Sequence, residues 1–380
     1  MRVLQFGKYA FAGKGGIERH VEVLSRGLAA AGVDVTVLVY DSSGGLQRGE
    51  IDGVKIEPIR VRLHLGSQAI ASGLRHRVLE LVEQAPFDIV HQHWPDPGAH
   101  WAATRMAGDA VQVATWHSDI VRQRVRGSLY RAFARRFMRS PDALICPTGL
   151  RMCGEQGQFI APQALRRFIP FGLETEAFEL TPALHDEALA IRRQLGGRKV
   201  VFALGRHVYY KSFDALIRAM VGLDGVLCLG GEGPLTPQLR KLAQALRAPV
   251  VFAGPIPETQ LPAYFHASDV FCLSSAQSAE TFGFVQAEAM ASGKPVVNTW
   301  LHNGVNELAP DGLCACTVPA GDVAALACAI RRLFDDEALA ARLGARGRER
   351  VQEFFTVKRM VADTVALYSE LLERRRQMKA

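Results

Sequence analysis

Short β-branched runs alternate with helix-forming stretches along nearly the whole chain, which is the rhythm of parallel sheets covered by helices. Strands are expected at 3–6, 33–39, 88–93, 111–116, 143–146 and 168–170. A polar, helix-prone stretch over 181–197 then interrupts, and a second series follows at 199–204, 226–229, 250–253, 270–273 and 295–298. The pattern predicts an α/β protein of two doubly wound, Rossmann-like domains, one over 1–175 and one over 176–355. The last helical segment, 356–380, carries Met360, Val361, Val365, Leu367, Leu371 and Leu372 on a broad apolar face and is expected to pack back on the first domain. With 380 residues, 48% of them hydrophobic, there is material for two cores. Ligands of open α/β sheets bind beyond the carboxyl ends of the strands, so two domains facing across a cleft would enclose one between them.

Several classes are disfavoured. No run of about 18 uncharged apolar residues exists, and Lys8 and Lys14 stand among glycines where a signal peptide needs its apolar segment. A cytoplasmic location is therefore expected. The seven cysteines are odd in number and lack C-x-x-C spacing, which suggests neither a disulfide framework nor a zinc site. The net charge is +7, and residues 1–175 carry 22 Lys and Arg against 16 Asp and Glu. The excess gathers over Arg122–Arg139, where Val125, Leu129, Phe133 and Phe137 recur on one helical face. This amphipathic basic helix reads first as a core-facing helix with a solvated side, and second as a docking element for anionic membrane on the inner face of the cell membrane. No motif with interleaved aromatics supports nucleic acid.

The loops after the strands carry the chemistry. Gly13-Lys14-Gly15-Gly16 leads into a helix, a turn that lets backbone N–H groups approach a phosphate; it is not a Walker A loop, because Lys14 is followed by Gly15. Arg206 and Lys211 follow the first strand of the second domain and can converge on one diphosphate, Arg through its planar fork and Lys as a point charge. Glu280 stands before a helix and Glu288 inside it, too far apart to share a proton, yet placed to accept hydrogen bonds from two parts of one ligand. Between them lies the turn Thr281-Phe282-Gly283. His91, His93 and His100 surround Trp94-Pro95-Asp96-Pro97, which reads as a long loop after the strand expected at 88–93. His91 and His93 project to one side, so metal binding is geometrically possible, although a polar loop on the acceptor side or structural packing is favoured.

Taken in order, Gly15-Gly16 with Glu18, Gly205-Arg206 with Lys211, Gly231-Glu232-Gly233-Pro234, and the element from Glu280 through Glu288 to Val297 resemble a retaining GT-B glycosyltransferase of family GT4, glycosyltransferase group 1. The resemblance implies that Arg206 and Lys211 hold a donor pyrophosphate, and that Glu288 binds ribose hydroxyls. It further implies that Glu280 with the backbone of Thr281, Phe282 and Gly283 grips the transferred sugar, while Gly15 and Gly16 offer N–H groups near the phosphates. His117, in Trp116-His117-Ser118-Asp119, matches the family's active-site histidine. Implied partners are a nucleotide-sugar donor and a glycan or lipid-linked acceptor. No cofactor and no metal are implied, and the chain has no D-x-D pair to hold a divalent ion.

Departures from the pattern lie at His302-Asn303-Gly304-Val305-Asn306-Glu307 and at Asp311-Gly312-Leu313-Cys314-Ala315-Cys316, loops that bear on the identity of the sugar. The stretches around Trp300 and Tyr210 resemble bacterial mannosyl- and rhamnosyltransferases of surface-polysaccharide assembly, including lipopolysaccharide synthesis. A GDP-linked mannose or deoxyhexose is accordingly expected over a UDP-sugar. The alternatives are a nucleotide-sugar epimerase of the same fold and a catalytically silent binding subunit.

Overall fold

The structure, a computed structural model, describes residues 1–7, 16–65, 68–71, 73–94, 96, 98–99, 102, 109–117, 141–149 and 164–380. It divides into two compact units, Met1–Gly172 with Val357–Ala380, and Leu173–Thr356. The basic stretch 122–139 lies outside the described residues, as do Gly15 and His100.

In the first unit the sheet is built on β1 (Arg2–Phe6), β2 (Asp34–Asp41), β6 (Ile89–Trp94), β7 (Val111–Trp116), β8 (Ala143–Cys146) and β9 (Leu165–Phe168), all parallel. The remaining strands, β3 (Gly49–Ile51), β4 (Val54–Leu65) and β5 (Gln68–Ala71), extend the edge beyond β2. Strand order is β3-β4-β2-β1-β6-β7-β8-β9, so the winding reverses between β1 and β6. Period-two alternation assigns the faces. Val3, Val35 and Val37 join one core with helices α1 (Gly16–Ala30) and α11 (Val357–Lys379). Leu4, Phe6, Leu38 and Tyr40 face the other core with α2 (Leu74–Gln84).

The second unit has six parallel strands, β10 (Val200–Leu204), β11 (Val226–Gly230), β12 (Val250–Gly254), β13 (Val270–Leu273), β14 (Val296–Thr299) and β15 (Ala315–Val318). Their order is β12-β11-β10-β13-β14-β15, the doubly wound order with its reversal between β10 and β13. Helix α3 (Pro182–Gln194) opens the unit, with Thr181 as N-cap accepting from the Leu184 N–H and proline in its first turn. The helices that follow are α4 (Phe213–Ala219), α5 (Thr236–Leu246), α6 (Leu261–Ala267), α7 (Phe284–Ala291), α8 (Gly304–Leu308), α9 (Val323–Asp335) and α10 (Glu337–Phe354).

One expectation is corrected. The strand expected at 168–170 runs over Leu165–Phe168 instead. His91 and His93 fall within the strand expected at 88–93; both lie inside β6 and are buried. Cys146 is disulfide-bonded, whereas Cys228, Cys272, Cys314, Cys316 and Cys328 are free thiols.

Candidate active site

The carboxyl ends of β10 and β13 flank the reversal of the second sheet, and the loops leaving them carry Arg206, Lys211 and Glu280. The first loop runs backbone against backbone with Gly231-Glu232-Gly233. The His207 N–H donates to the Glu232 carbonyl at 3.0 Å, and a Cβ on Gly233 would lie 2.6 Å from the His207 carbonyl oxygen. His207 itself is buried and its Nδ1 contacts the Thr236 hydroxyl at 2.8 Å, which pins the loop between Arg206 and Lys211. Arg206 is left exposed and makes no ion pair among the described residues.

Lys211 is buried and meets Glu280: Nζ donates to Oε2 at 2.5 Å, and both side chains are close to nine-tenths buried. Two charges so placed require each other, since either alone would bear the cost of desolvation. The same Oε2 accepts from the Ser275 hydroxyl at 3.0 Å, and the Glu280 carbonyl accepts from Asn303 Nδ2 at 2.6 Å. Lys211 is further seated by its backbone, whose carbonyl accepts from the Ser274 hydroxyl at 2.9 Å. One ammonium N–H is thereby used, and the other two have no protein partner among the described residues.

Glu288 lies on α7 and is buried. The helix begins only at Phe284, after Gly283 with φ 76°, so Glu280 stands on a loop and the spacing of the two carboxylates is not a helical rise. Phe282 is buried beside Phe284 and Phe355. The departing loop at 302–307 has a structural role. Asn303 caps α8 through Val305 N–H and reaches Glu280, while Asn306 Oδ1 accepts from the N–H groups of Leu301 and His302. Beneath it Gln286 donates to the Val305 carbonyl, Asn298 donates to Gln286, and the half-buried Thr317 hydroxyl donates to Asn298, a chain running through two buried side-chain amides.

The first unit holds His117 just past β7, one strand beyond the reversal of its own sheet between β1 and β6, with Gly16 as the exposed first residue of α1. His117 Nε2 lies 3.0 Å from His93 Nδ1, and Phe171 stacks on its ring at 5.0 Å. His93 Nε2 contacts Gln5 Oε1 at 3.3 Å. With the amide oxygen of Gln5 facing it, His93 carries its proton on Nε2, and His117 donates to His93. His20, on α1, completes the group, and burial lowers it to about 3 and His93 well below the usual range, so both are neutral near pH 7. His91 turns its nitrogens to the Tyr368 hydroxyl at 2.6 Å and the Thr115 hydroxyl at 2.7 Å, which makes it a structural link to α11. Sequence reasoning missed His20, Gln5 and Ser275, and gave Asn303 only as part of the departing loop. Only His20 left a signal, one turn into the helix behind Gly15-Gly16.

Comparison with known proteins follows the division into units. The profile of the family described as Glycosyl transferases group 1 matches residues 186–350, and that of Glycosyltransferase Family 4 matches residues 14–149. O-antigen chain mannosyltransferase C of Escherichia coli is 28% identical, with 98% of this chain and 99% of the relative covered. D-rhamnosyltransferase WbpZ of Pseudomonas aeruginosa is 28% identical over 94% and 92%. A glycogen synthase of Mycobacterium tuberculosis is 30% identical over 93% and 91%. Among solved structures, Anabaena HepE in complex with UDP superposes with a TM-score of 0.80 at 18% identity, covering 97% of this chain and all of that one. Two doubly wound units in the GT-B plan, and matches of this extent along both, make the chain a member of glycosyltransferase group 1, family GT4, and a glycosyltransferase.

Proposed function

We propose that this glycosyltransferase moves a mannose or a deoxyhexose from a nucleotide diphosphate donor, GDP-linked in preference to UDP-linked, to a glycan or lipid-linked acceptor in cell-surface polysaccharide synthesis, with retention at the anomeric carbon. The observation that carries the reading is the buried Lys211–Glu280 pair at the reversal of the second sheet, with exposed Arg206 in the same loop. The sugar preference is supported by the relatives named for mannosyl and rhamnosyl transfer and by the motif resemblance around Trp300 and Tyr210.

Lys211 has two N–H donors left for phosphate oxygens, and Arg206 has its whole fork. As the bond from the anomeric carbon to the phosphate oxygen breaks, negative charge gathers on the diphosphate, and fixed cations bind that charge more strongly than the ground state. Glu280, oriented by Lys211, Ser275 and Asn303, accepts from a sugar hydroxyl, and buried Glu288 accepts from the ribose. The acceptor oxygen forms its bond on the face the phosphate leaves, and its proton passes to the departing phosphate oxygen. The family resemblance assigns His117 an active-site role near the sugar. The two cations supply the charge compensation for the diphosphate, and no divalent ion enters the scheme.

Nucleotide release is expected only when a nucleotide-sugar and an acceptor are both present, and is not lost in EDTA. Arg206→Ala and Lys211→Ala should each lower turnover by about 10²-fold, the size typical of one lost contact to a developing oxyanion. Full activity in either variant contradicts the phosphate roles. A thermal-shift panel of GDP- and UDP-sugars assigns the donor, since the bound donor stabilises by mass action. Product NMR reads the anomer formed and would reveal an isomerised donor if the chain were an epimerase.

A further inference from the structure

Three elements of the first unit, α1, β6 and the segment after β7, bring one ring nitrogen each from His20, His93 and His117 to within 4.8 Å of one another, and all three rings are buried. Buried polar groups are ordinarily hydrogen-bonded. Neighbouring His91 obeys, with a hydroxyl on each nitrogen. His20 does not: its residue is only 6% exposed, and Nε2 is buried without a partner. The 3.0 Å between His93 Nδ1 and His117 Nε2 is already near the roughly 3.3 Å between two nitrogens that share one tetrahedral ion.

We propose that His20, His93 and His117 form a site for a single zinc-class divalent ion, with a fourth position open to water. Three imidazoles and no carboxylate select zinc, cobalt or nickel over magnesium or calcium. His93 would bind through Nδ1 while its Nε2–H goes on donating to Gln5 Oε1, which is the outer hydrogen bond that fixes a metal-bound imidazole. His117 would bind through Nε2, its proton moving to Nδ1. Phe171 stacks on His117 and meets His20 edge-on at 4.6 Å, walling the site on that side. The ion plays no part in the transfer described above. Resting on that reading, which puts His117 beside the transferred sugar, its binding is inhibitory.

The test uses the full chain, stripped with chelator and titrated with cobalt(II). One equivalent should give the intense visible absorption of tetrahedral cobalt, and zinc should abolish it. His20→Asn and His93→Ala should lose that absorption, and Gln5→Leu should weaken binding by about 10–100-fold. Near-ultraviolet circular dichroism checks each fold, and if His93→Ala does not fold, His20→Asn alone decides. Cobalt that stays octahedral with the parent chain, or binds folded His20→Asn with parental affinity and spectrum, overturns the site. Stoichiometric zinc should also slow glycosyl transfer. Tight binding without inhibition leaves the metal site standing and removes His117 from the sugar, whereas normal turnover with no binding removes the metal site alone.

Discussion

Gly231 has φ 93°, and a Cβ there would lie 2.2 Å from the carbonyl oxygen of Gly205, immediately before Arg206. Neither backbone can yield without moving the cation loop. Gly231→Ala should therefore cost about 1–3 kcal/mol of stability in the second unit, from strained dihedrals and overpacking together. It should also lower turnover; denaturant midpoints and initial rates check both, and a parental rate in the folded variant would separate this glycine from Arg206. Residues of this kind were legible because their motifs are local: Arg206 with Lys211, and Glu280 with Glu288, could be picked out by spacing. Their partnership was not. Lys211 and Glu280 are 69 positions apart, and only the pairing of β10 with β13 brings them together. His20 escaped for the same reason, since its ring reaches His93 and His117 only after β1, β6 and β7 have assembled.

Lys294 follows α7 and precedes β14, and its ammonium donates to the His266 carbonyl at the end of α6 at 3.0 Å. Burial pulls it from 10.5 down to about 8. Between those values the folded chain holds fewer protons than the unfolded chain, so stability should rise with pH across that window. Below about pH 8 both states are protonated and the penalty is present in full. Lys294→Met is expected to stabilise the second unit by about 1–3 kcal/mol at pH 7, an advantage that shrinks towards pH 10; thermal melts at a series of pH values would show it, and a constant difference would contradict the sign. At this scale the parallel strands were readable from their apolar runs, and the edge was not. Strand β4 mixes Lys55, Glu57, Arg60 and Arg62 with its apolar residues and contains Pro58, which ordinarily argues against a strand. Pro58 is tolerated because it falls between the residues paired by β3 and those paired by β5. Strand β15 is only four residues long and follows a turn, too short for alternation to register.

Two series of strands with a polar interruption announced two units, and the molecule has two, but its ends are interleaved: residues 357–380 return to the unit that began at Met1. Leu367 and Tyr368 on α11 are almost fully buried in the core that also holds Val3 and Leu28. Leu367→Ala should cost about 2–5 kcal/mol, and hydrogen exchange should place the loss in residues 1–172 and 357–380. An equal loss of protection across 173–356 would count against separate cores. The same interleaving sets an order of events during synthesis. The helix that completes one side of the first sheet leaves the ribosome only after the second unit has been made, about 10–40 s later at ordinary elongation rates. Through that interval a growing chain carries a half-covered apolar sheet, and the time at which helper proteins must shield it is written into the chain's own topology.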